Sequence, residues 1–185
     1  MQAETHIPSS SETKRSDGSM KLRHVVESQQ FTVPLLMELF DRSRQMERVV
    51  ARGGTLDYQN KIMASLFYEP STRTRFSFEA AMHRLGGRVL STEHARAFSS
   101  EIEGEQVEDS IRIIGSYADV IVIRHNEEGG ARRAAQVSPV PVINAGDGNG
   151  GQHPTLSETI MECAEVFYGH ATHTFTRREG PRREA

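Results

Sequence analysis

Ile62-Met63-Ala64-Ser65-Leu66-Phe67-Tyr68-Glu69-Pro70-Ser71-Thr72-Arg73-Thr74-Arg75-Phe76-Ser77-Phe78-Glu79 is the stretch from which the rest of the chain is read. It predicts a buried strand, a turn at Pro70, and a helix that starts among hydroxyl and guanidinium groups. A helix start offers unpaired backbone N–H groups and the positive end of the macrodipole. Ser71, Thr72 and Thr74 add hydroxyl donors, and Arg73 and Arg75 add fixed charge with forked geometry. Together they make a site for a phosphate or a carboxylate. The plain alternative is an ordinary N-cap followed by two solvated arginines.

Composition narrows the choices. A chain of 185 residues suits one domain with a tail. Only 36% of it is hydrophobic, so part is expected to lie outside a packed core. Net charge is −3, with 22 basic against 25 acidic residues, which argues against nucleic acid as a partner. The single cysteine, Cys163, excludes an internal disulfide framework or a zinc knuckle and reads as a packing residue. There is no membrane-length apolar run and no secretory h-region, so a soluble cytoplasmic protein is the expectation.

Residues 1–20 are polar and read as a disordered extension, with structure expected to begin near Phe31. Thr32 can cap a first helix with Pro34 in its first turn, and Leu35, Leu36, Leu39, Phe40, Met46, Val49 and Val50 recur at helical spacing up to Gly53-Gly54. The first strand is expected over 62–68. The helix after it places Phe76, Phe78, Ala80, Ala81, Met82 and Leu85 mainly inward and closes at Gly86-Gly87. A short strand over 89–92 follows, then a charged loop from Glu93 to Gln106 and a helix through Val107, Ile111, Ile113 and Ile114. Asp119-Val120-Ile121-Val122-Ile123-Arg124-His125 is the strand buried on both faces. A short alanine-rich helix over 130–137, a fourth strand over 140–145, a glycine loop over 146–151 and a last helix complete the pattern. Strands that alternate with helices imply an α/β fold: an open, mostly parallel four-stranded sheet with helices on both faces.

In such a sheet ligands bind outside the carboxyl ends of the strands. Three polar sets fall there: Ser71, Thr72, Arg73 and Thr74 after the first strand, Arg124-His125 at the end of the third, and His153 beyond the fourth. Each alone is unremarkable, but their shared placement points to an anionic ligand with a polarisable carbonyl. Arg73 and the helix start would hold the anion, and Arg124, His153 and Thr74 would face the carbonyl oxygen. A nucleotide-binding α/β domain fits less well, because no Gly-x-Gly-x-x-Gly follows a strand.

Phe67 through Glu79 resembles the carbamoyl phosphate signature of the aspartate and ornithine carbamoyltransferases. Arg124-His125 and the run Asn144-Ala145-Gly146-Asp147-Gly148 before Gln152-His153-Pro154-Thr155 are similar to the aspartate branch; the ornithine branch usually carries a lysine where Glu69 stands and lacks that run. The resemblance covers about residues 31–155. It implies a carbamoyl phosphate-binding domain over 21–156 in a transferase that joins carbamoyl phosphate to L-aspartate at an early step of pyrimidine biosynthesis. It implies phosphate contacts from Ser71, Thr72, Arg73 and Thr74, and carbonyl polarisation by Arg124, His153 and Thr74. No metal, cofactor or covalent intermediate is expected. The family assembles at least as a homotrimer, sometimes with regulatory or other pathway subunits, and a loop of the neighbouring subunit completes each site. That loop matches 95–106 here, with Ser99 and Glu103.

Three features depart from the family pattern. Glu103 stands where the family has a lysine, Leu156 stands where it has a glutamine, and Gly150-Gly151 holds one glycine more. From Leu156 onward nothing resembles the family, so residues 157–185 read as a divergent tail, and an aspartate-binding domain has no counterpart in the chain. A truncated or frame-shifted product is the simplest account, with impaired turnover. A non-catalytic, anion-binding, trimer-forming module is the alternative reading. If the loop enters a neighbouring site, Glu103 meets a dianion and repels it. Glu103→Lys is then expected to tighten carbamoyl phosphate binding severalfold in calorimetry, less so at high salt. Equal or weaker binding in the variant would place the loop outside the site.

Overall fold

Side-chain alternation along one strand sorts the whole core into two layers. A computed structural model describes residues 13–14, 20–93, 107–148 and 154; the expected site residues Ser99, Glu103 and His153, Cys163 and the tail lie outside them. Four strands, β3 (Ile62–Phe67), β4 (Arg88–Glu93), β5 (Val120–His125) and β6 (Val142–Asp147), form one sheet in the order β4-β3-β5-β6. Every pairing within it is parallel. A separate two-residue antiparallel ribbon joins β1 (Thr13–Lys14) to β2 (Met20–Lys21).

Met63 and Phe67 of β3 pack with Val122, Ala145 and Met82 on one face. Ala64, Leu66 and Tyr68 pack on the other with Ile121, Ile123, Val142, Val107, Ile111, Ala131 and Ala134. Helix α2 (Thr72–Arg84) therefore covers the first face, and α3 (Val107–Ile114) with α4 (Gly130–Val137) covers the second. The run through β5 is buried on both sides, as its unbroken β-branched sequence demands. From β3 the chain runs outward through α2 to β4 and then crosses back to β5, so the topology reverses between β3 and β5. A crevice at the carboxyl ends of these two strands is the geometric consequence.

Polar contacts fix the register at the opposite end. Asp119 accepts the Ile62 N–H at 2.9 Å and the Lys61 ammonium at 2.7 Å, while its own N–H donates to the Ile62 carbonyl. The Lys61 hydrogen bond, and then the Ile62 N–H, hold the Asp119 carboxyl below the usual range. On the α2 side, Ser65 Oγ and Ser91 Oγ both donate to Glu79 Oε1, at 3.0 and 2.6 Å, tying the helix to β3 and β4. The helix ends at Gly86-Gly87 as expected. Gly86 takes φ 83°, and its N–H and that of Gly87 return to the carbonyls of His83 and Met82.

Four expectations are corrected. On α2 only Met82 is buried; Phe78 and Leu85 are half-buried, whereas Phe76 is 54% exposed and Ala80 and Ala81 face outward. The stripe turned to the sheet runs through Arg75, Phe78, Glu79 and Met82, so polar residues share the inner face with apolar ones. On α1 (Val33–Ala51) Leu35 and Leu36 are buried, but Leu39 and Val50 are exposed. Likewise Ile113 on α3 is exposed. Gly146 and Asp147, expected in a glycine loop, belong to β6.

Ordered structure also starts before Phe31. Val25 pairs with Ile143 as a parallel bridge, receiving the Asn144 N–H at 2.7 Å and donating to the Val142 carbonyl at 2.8 Å. Residues 24–30 thus form a strap along β6. The Gln30 side chain accepts from the Val26 and Glu27 N–H groups and donates to the His24 carbonyl. The strap shields the free edge of β6, where an unpaired strand would invite pairing with another chain.

His24 Nδ1 accepts the Val142 N–H at 3.1 Å, which requires a neutral ring. Burial, and then the neighbouring Arg23 charge, lower its pKa from the usual 6.5. The unfolded chain therefore binds a proton at a higher pH than the folded one. Stability is expected to be full above about pH 6.5 and to fall as pH drops through the lowered folded value. Urea midpoints across pH 7.5 to 5 should show this fall in the parent and a smaller one in His24→Gln.

Candidate anion-binding site

The turn after β3 delivers a helix start that its own cap residue leaves open. Ser71 occupies the N-cap of α2 and its carbonyl accepts the Arg75 N–H at 2.9 Å, yet its hydroxyl makes no cap hydrogen bond. A serine at this place ordinarily satisfies an N–H of the first turn. Here the first-turn donors and the positive end of the helix stay available to a ligand. Thr72 and Arg73 are exposed, and Ser71 and Thr74 are half-buried around the same turn.

The two arginines of the motif part ways. Arg75 turns inward, with Nε 4.0 Å from Glu79 Oε1 and its guanidinium carbon 5.2 Å from the Phe76 ring centroid. It braces the helix. Arg73 points to solvent and keeps its charge for a ligand.

Arg124 comes to this turn through the sheet. It pairs in register with Phe67, and its carbonyl accepts the Tyr68 N–H at 2.9 Å, carrying the ladder one step past the strand. Its side chain lies on the α2 face, as Phe67 and Val122 do. Nη1 donates to the Ala145 carbonyl at 3.2 Å and Nη2 is 3.5 Å from Glu69 Oε2. Its Nε is buried with no hydrogen-bond partner among the described residues. The guanidinium is thus held in place by one neutral and one charged acceptor, with hydrogen-bonding capacity to spare.

His125, its neighbour in sequence, goes elsewhere. It is 3% exposed on the opposite face, 4.8 Å from the Tyr68 ring, and its Nδ1 accepts the Glu127 N–H at 3.0 Å. A Cβ on Gly130 would run into its ring, so the glycine makes room for it. Strand alternation separates the Arg124-His125 pair that the sequence sets side by side. Asp147 also proves to be structural, accepting the Gly129 and Ala131 N–H groups at 3.0 and 3.3 Å at the start of α4. Glu69 is the residue that reading from sequence missed. Its position directly after the buried run that ends at Tyr68 was the available signal.

The family model for "Aspartate/ornithine carbamoyltransferase, carbamoyl-P binding domain" matches residues 23–157. The chain belongs to the aspartate/ornithine carbamoyltransferase family. It is 54% identical over 143 residues to the chloroplastic aspartate carbamoyltransferase of Oryza sativa subsp. japonica, an alignment of 74% of this chain and 39% of that one. To the aspartate carbamoyltransferase catalytic subunit of Thermoplasma acidophilum it is 51% identical over 148 residues, 80% of this chain and 47% of the relative. Among solved structures, the catalytic subunit of M. jannaschii aspartate transcarbamoylase superposes with a TM-score of 0.67 at 43% identity, covering 78% of this chain and 47% of that one. Aspartate transcarbamoylase from Trypanosoma cruzi, in complex with carbamoyl phosphate and aspartate, gives 0.67 at 35% identity over 78% of this chain and 46% of that one. The chain spans less than half the length of these carbamoyltransferases.

Glu69 places a carboxylate beside the guanidinium on which an anion would draw. The pair is partly exposed, 26% and 33%, so its attraction is screened and worth about 0–1 kcal/mol. Glu69→Gln is expected to raise affinity for carbamoyl phosphate, the ligand with a group to set against Arg124, up to about fivefold at low salt, since a surface pair is worth that much. Isothermal calorimetry at two ionic strengths checks it, and unchanged binding would separate Glu69 from the site.

Proposed function

We propose that this chain carries the carbamoyl phosphate-binding half of an aspartate carbamoyltransferase, the enzyme that moves the carbamoyl group of carbamoyl phosphate to the amine of L-aspartate. The observation that carries the reading is the meeting of the uncapped α2 start with Arg124, in register with Phe67, at the switch between β3 and β5. Ser71, Thr72, Arg73 and Thr74 hold the phosphate, using first-turn N–H groups, hydroxyls and the free Arg73 charge. Arg124, Thr74 and His153 face the carbonyl oxygen. As the aspartate amine attacks the carbonyl carbon, negative charge gathers on that oxygen and these donors stabilise it. The C–O bond to phosphate then breaks, phosphate leaves with the bonding pair, and the amine passes a proton to the departing phosphate and becomes the substituted nitrogen of the new N-carbamoyl group.

The residues involved are donors and fixed charges, so the acceleration comes from placing the two reactants and from electrostatics. A homotrimer belongs to the same reading, with Ser99 and Glu103 of a neighbouring loop beside the phosphate. So does the division into a binding domain over 21–156 flanked by an extension and a tail. Of location, no helix among the described residues is long and apolar enough to cross a membrane, and the rice relative is chloroplastic. A cytoplasmic place for this chain is tested by imaging a tagged copy.

Calorimetry tests the site directly. The chain is expected to bind both inorganic phosphate and carbamoyl phosphate, and Arg73→Ala to weaken both by about tenfold or more, the worth of a charge-assisted contact. Unchanged affinity in that variant would sink the assignment. Orientation of two reactants accounts for about 7–11 kcal/mol of barrier. The matched region has no counterpart to the rest of its relatives, so the 185-residue chain on its own is expected to bind without appreciable formation of N-carbamoyl-L-aspartate. Saturable turnover by the purified chain that disappears in His153→Ala would show that the region suffices.

A further inference from the structure

The ladder between β5 and β6 is irregular at one place. Ile123 faces Asn144, and two residues on His125 faces Asp147, so β6 places three residues where β5 places two. A bulge of this kind bends the strand and re-aims its backbone groups. It falls on Ala145 and Gly146, directly alongside Arg124. The Ala145 carbonyl receives Arg124 Nη1 at 3.2 Å. Gly146 sits at φ 131°, a conformation that side chains rarely adopt, and a Cβ there would run into the Arg124 guanidinium. The bulge therefore both offers Arg124 its acceptor and clears the space the guanidinium fills.

A bulge also takes backbone groups out of the ladder, and a buried N–H left over is costly. The Gly146 N–H is taken by Asn144 Oδ1 at 2.9 Å. The other end of the same amide, Nδ2, donates to the Val26 carbonyl of the strap at 3.0 Å. Asn144 is 0% exposed, so both bonds are made away from water. A short side chain carrying one acceptor and one donor is what these two positions require. Leucine supplies neither group, and an ionised aspartate lacks the donor.

We propose that Asn144 is the positioning residue for Arg124: its amide pins the β6 bulge to the strap and thereby fixes the Ala145 carbonyl that orients the guanidinium. The inference rests on the role given to Arg124 under the proposed function. Asn144 is fully buried and hydrogen-bonds to the protein's own backbone. It acts through the backbone of Ala145 and Gly146.

Two measurements on the 185-residue chain decide it. The first is the NMR signature of the Arg124 guanidinium, whose N–H resonances report how firmly the group is held. The second is calorimetry with inorganic phosphate and with carbamoyl phosphate. Asn144→Ala is expected to shift and broaden the Arg124 signals. It should weaken carbamoyl phosphate about tenfold, the worth of a charge-assisted contact, and leave phosphate within about twofold, because phosphate sits at the α2 start. Gly146→Ala should reproduce that split, since its methyl displaces Arg124 while the Asn144–Val26 bond stays. Asn144→Ser, which keeps a hydroxyl in the pocket, serves if the alanine variant does not fold. Unchanged Arg124 signals in a folded Asn144 variant, or equal loss of both ligands, would overturn the proposal. Unfolding of both Asn144 variants would do so too, by making the residue a support of the fold alone. A parent chain that binds neither ligand would defeat the proposed function, and the NMR comparison would still decide the role of Asn144.

Discussion

The parallel pairing of β3 with β5 is the constraint on which the molecule depends. Met63 lies against Val120 and Phe67 against Arg124, and that register sets which face each later side chain takes. A slip of one residue would exchange the two faces of β5. Arg124 would then point into the core under α4, and His125 would take its place at the crevice. Directional contacts at both ends prevent the slip. Asp119 grips the start of β3 through the Ile62 N–H, and the Arg124 carbonyl receives the Tyr68 N–H at the other end. Hydrophobic burial between these ends supplies the attraction but is non-directional and could tolerate more than one alignment.

Buried or half-buried polar groups do similar work elsewhere in the fold. The Glu79 carboxylate joins α2 to both β3 and β4 through Ser65 and Ser91. The Asp147 carboxylate, at the end of β6, caps α4, whose own N-cap is the side-chain-free Gly129. The Asn144 amide splices β6 to the strap. Each contact joins two separate elements, the Asn144 bond reaching 118 residues back to the strap, and each of these polar groups finds a partner, as burial requires. They lie around the carboxyl end of the sheet or directly beneath the helix that opens there.

The electrostatics of the crevice follow the same economy. Arg75 and Arg124 are held by protein acceptors, whereas Arg73 extends to solvent. The partial exposure of the Glu69–Arg124 pair and its 3.5 Å spacing leave the guanidinium oriented rather than neutralised. A group fixed before a ligand arrives has little reorganisation left to make, which is the condition for electrostatic stabilisation of a developing charge. The uncapped Ser71 serves the same end. A hydroxyl engaged with its own helix would occupy a first-turn N–H that is otherwise open to an incoming anion.

Much of this was legible in the chain itself. The apolar runs at 62–68 and 119–125, the glycine pair after α2 and the alternation of strand with helix specify a parallel α/β sheet, because period and turn chemistry are local properties. The Ser71-Thr72-Arg73-Thr74 start and its family resemblance were likewise visible, since a motif of contiguous residues carries its own geometry. Which face of a helix is covered could not be read there, as exposed Phe76 and Leu39 show, because covering depends on what packs above. Nor could the separate fates of Arg124 and His125, the Glu69–Arg124 pair, the strap beneath Asn144 or the bulge at Gly146. Each depends on the alignment of strands joined by tens of residues, and that alignment exists only once the sheet has formed.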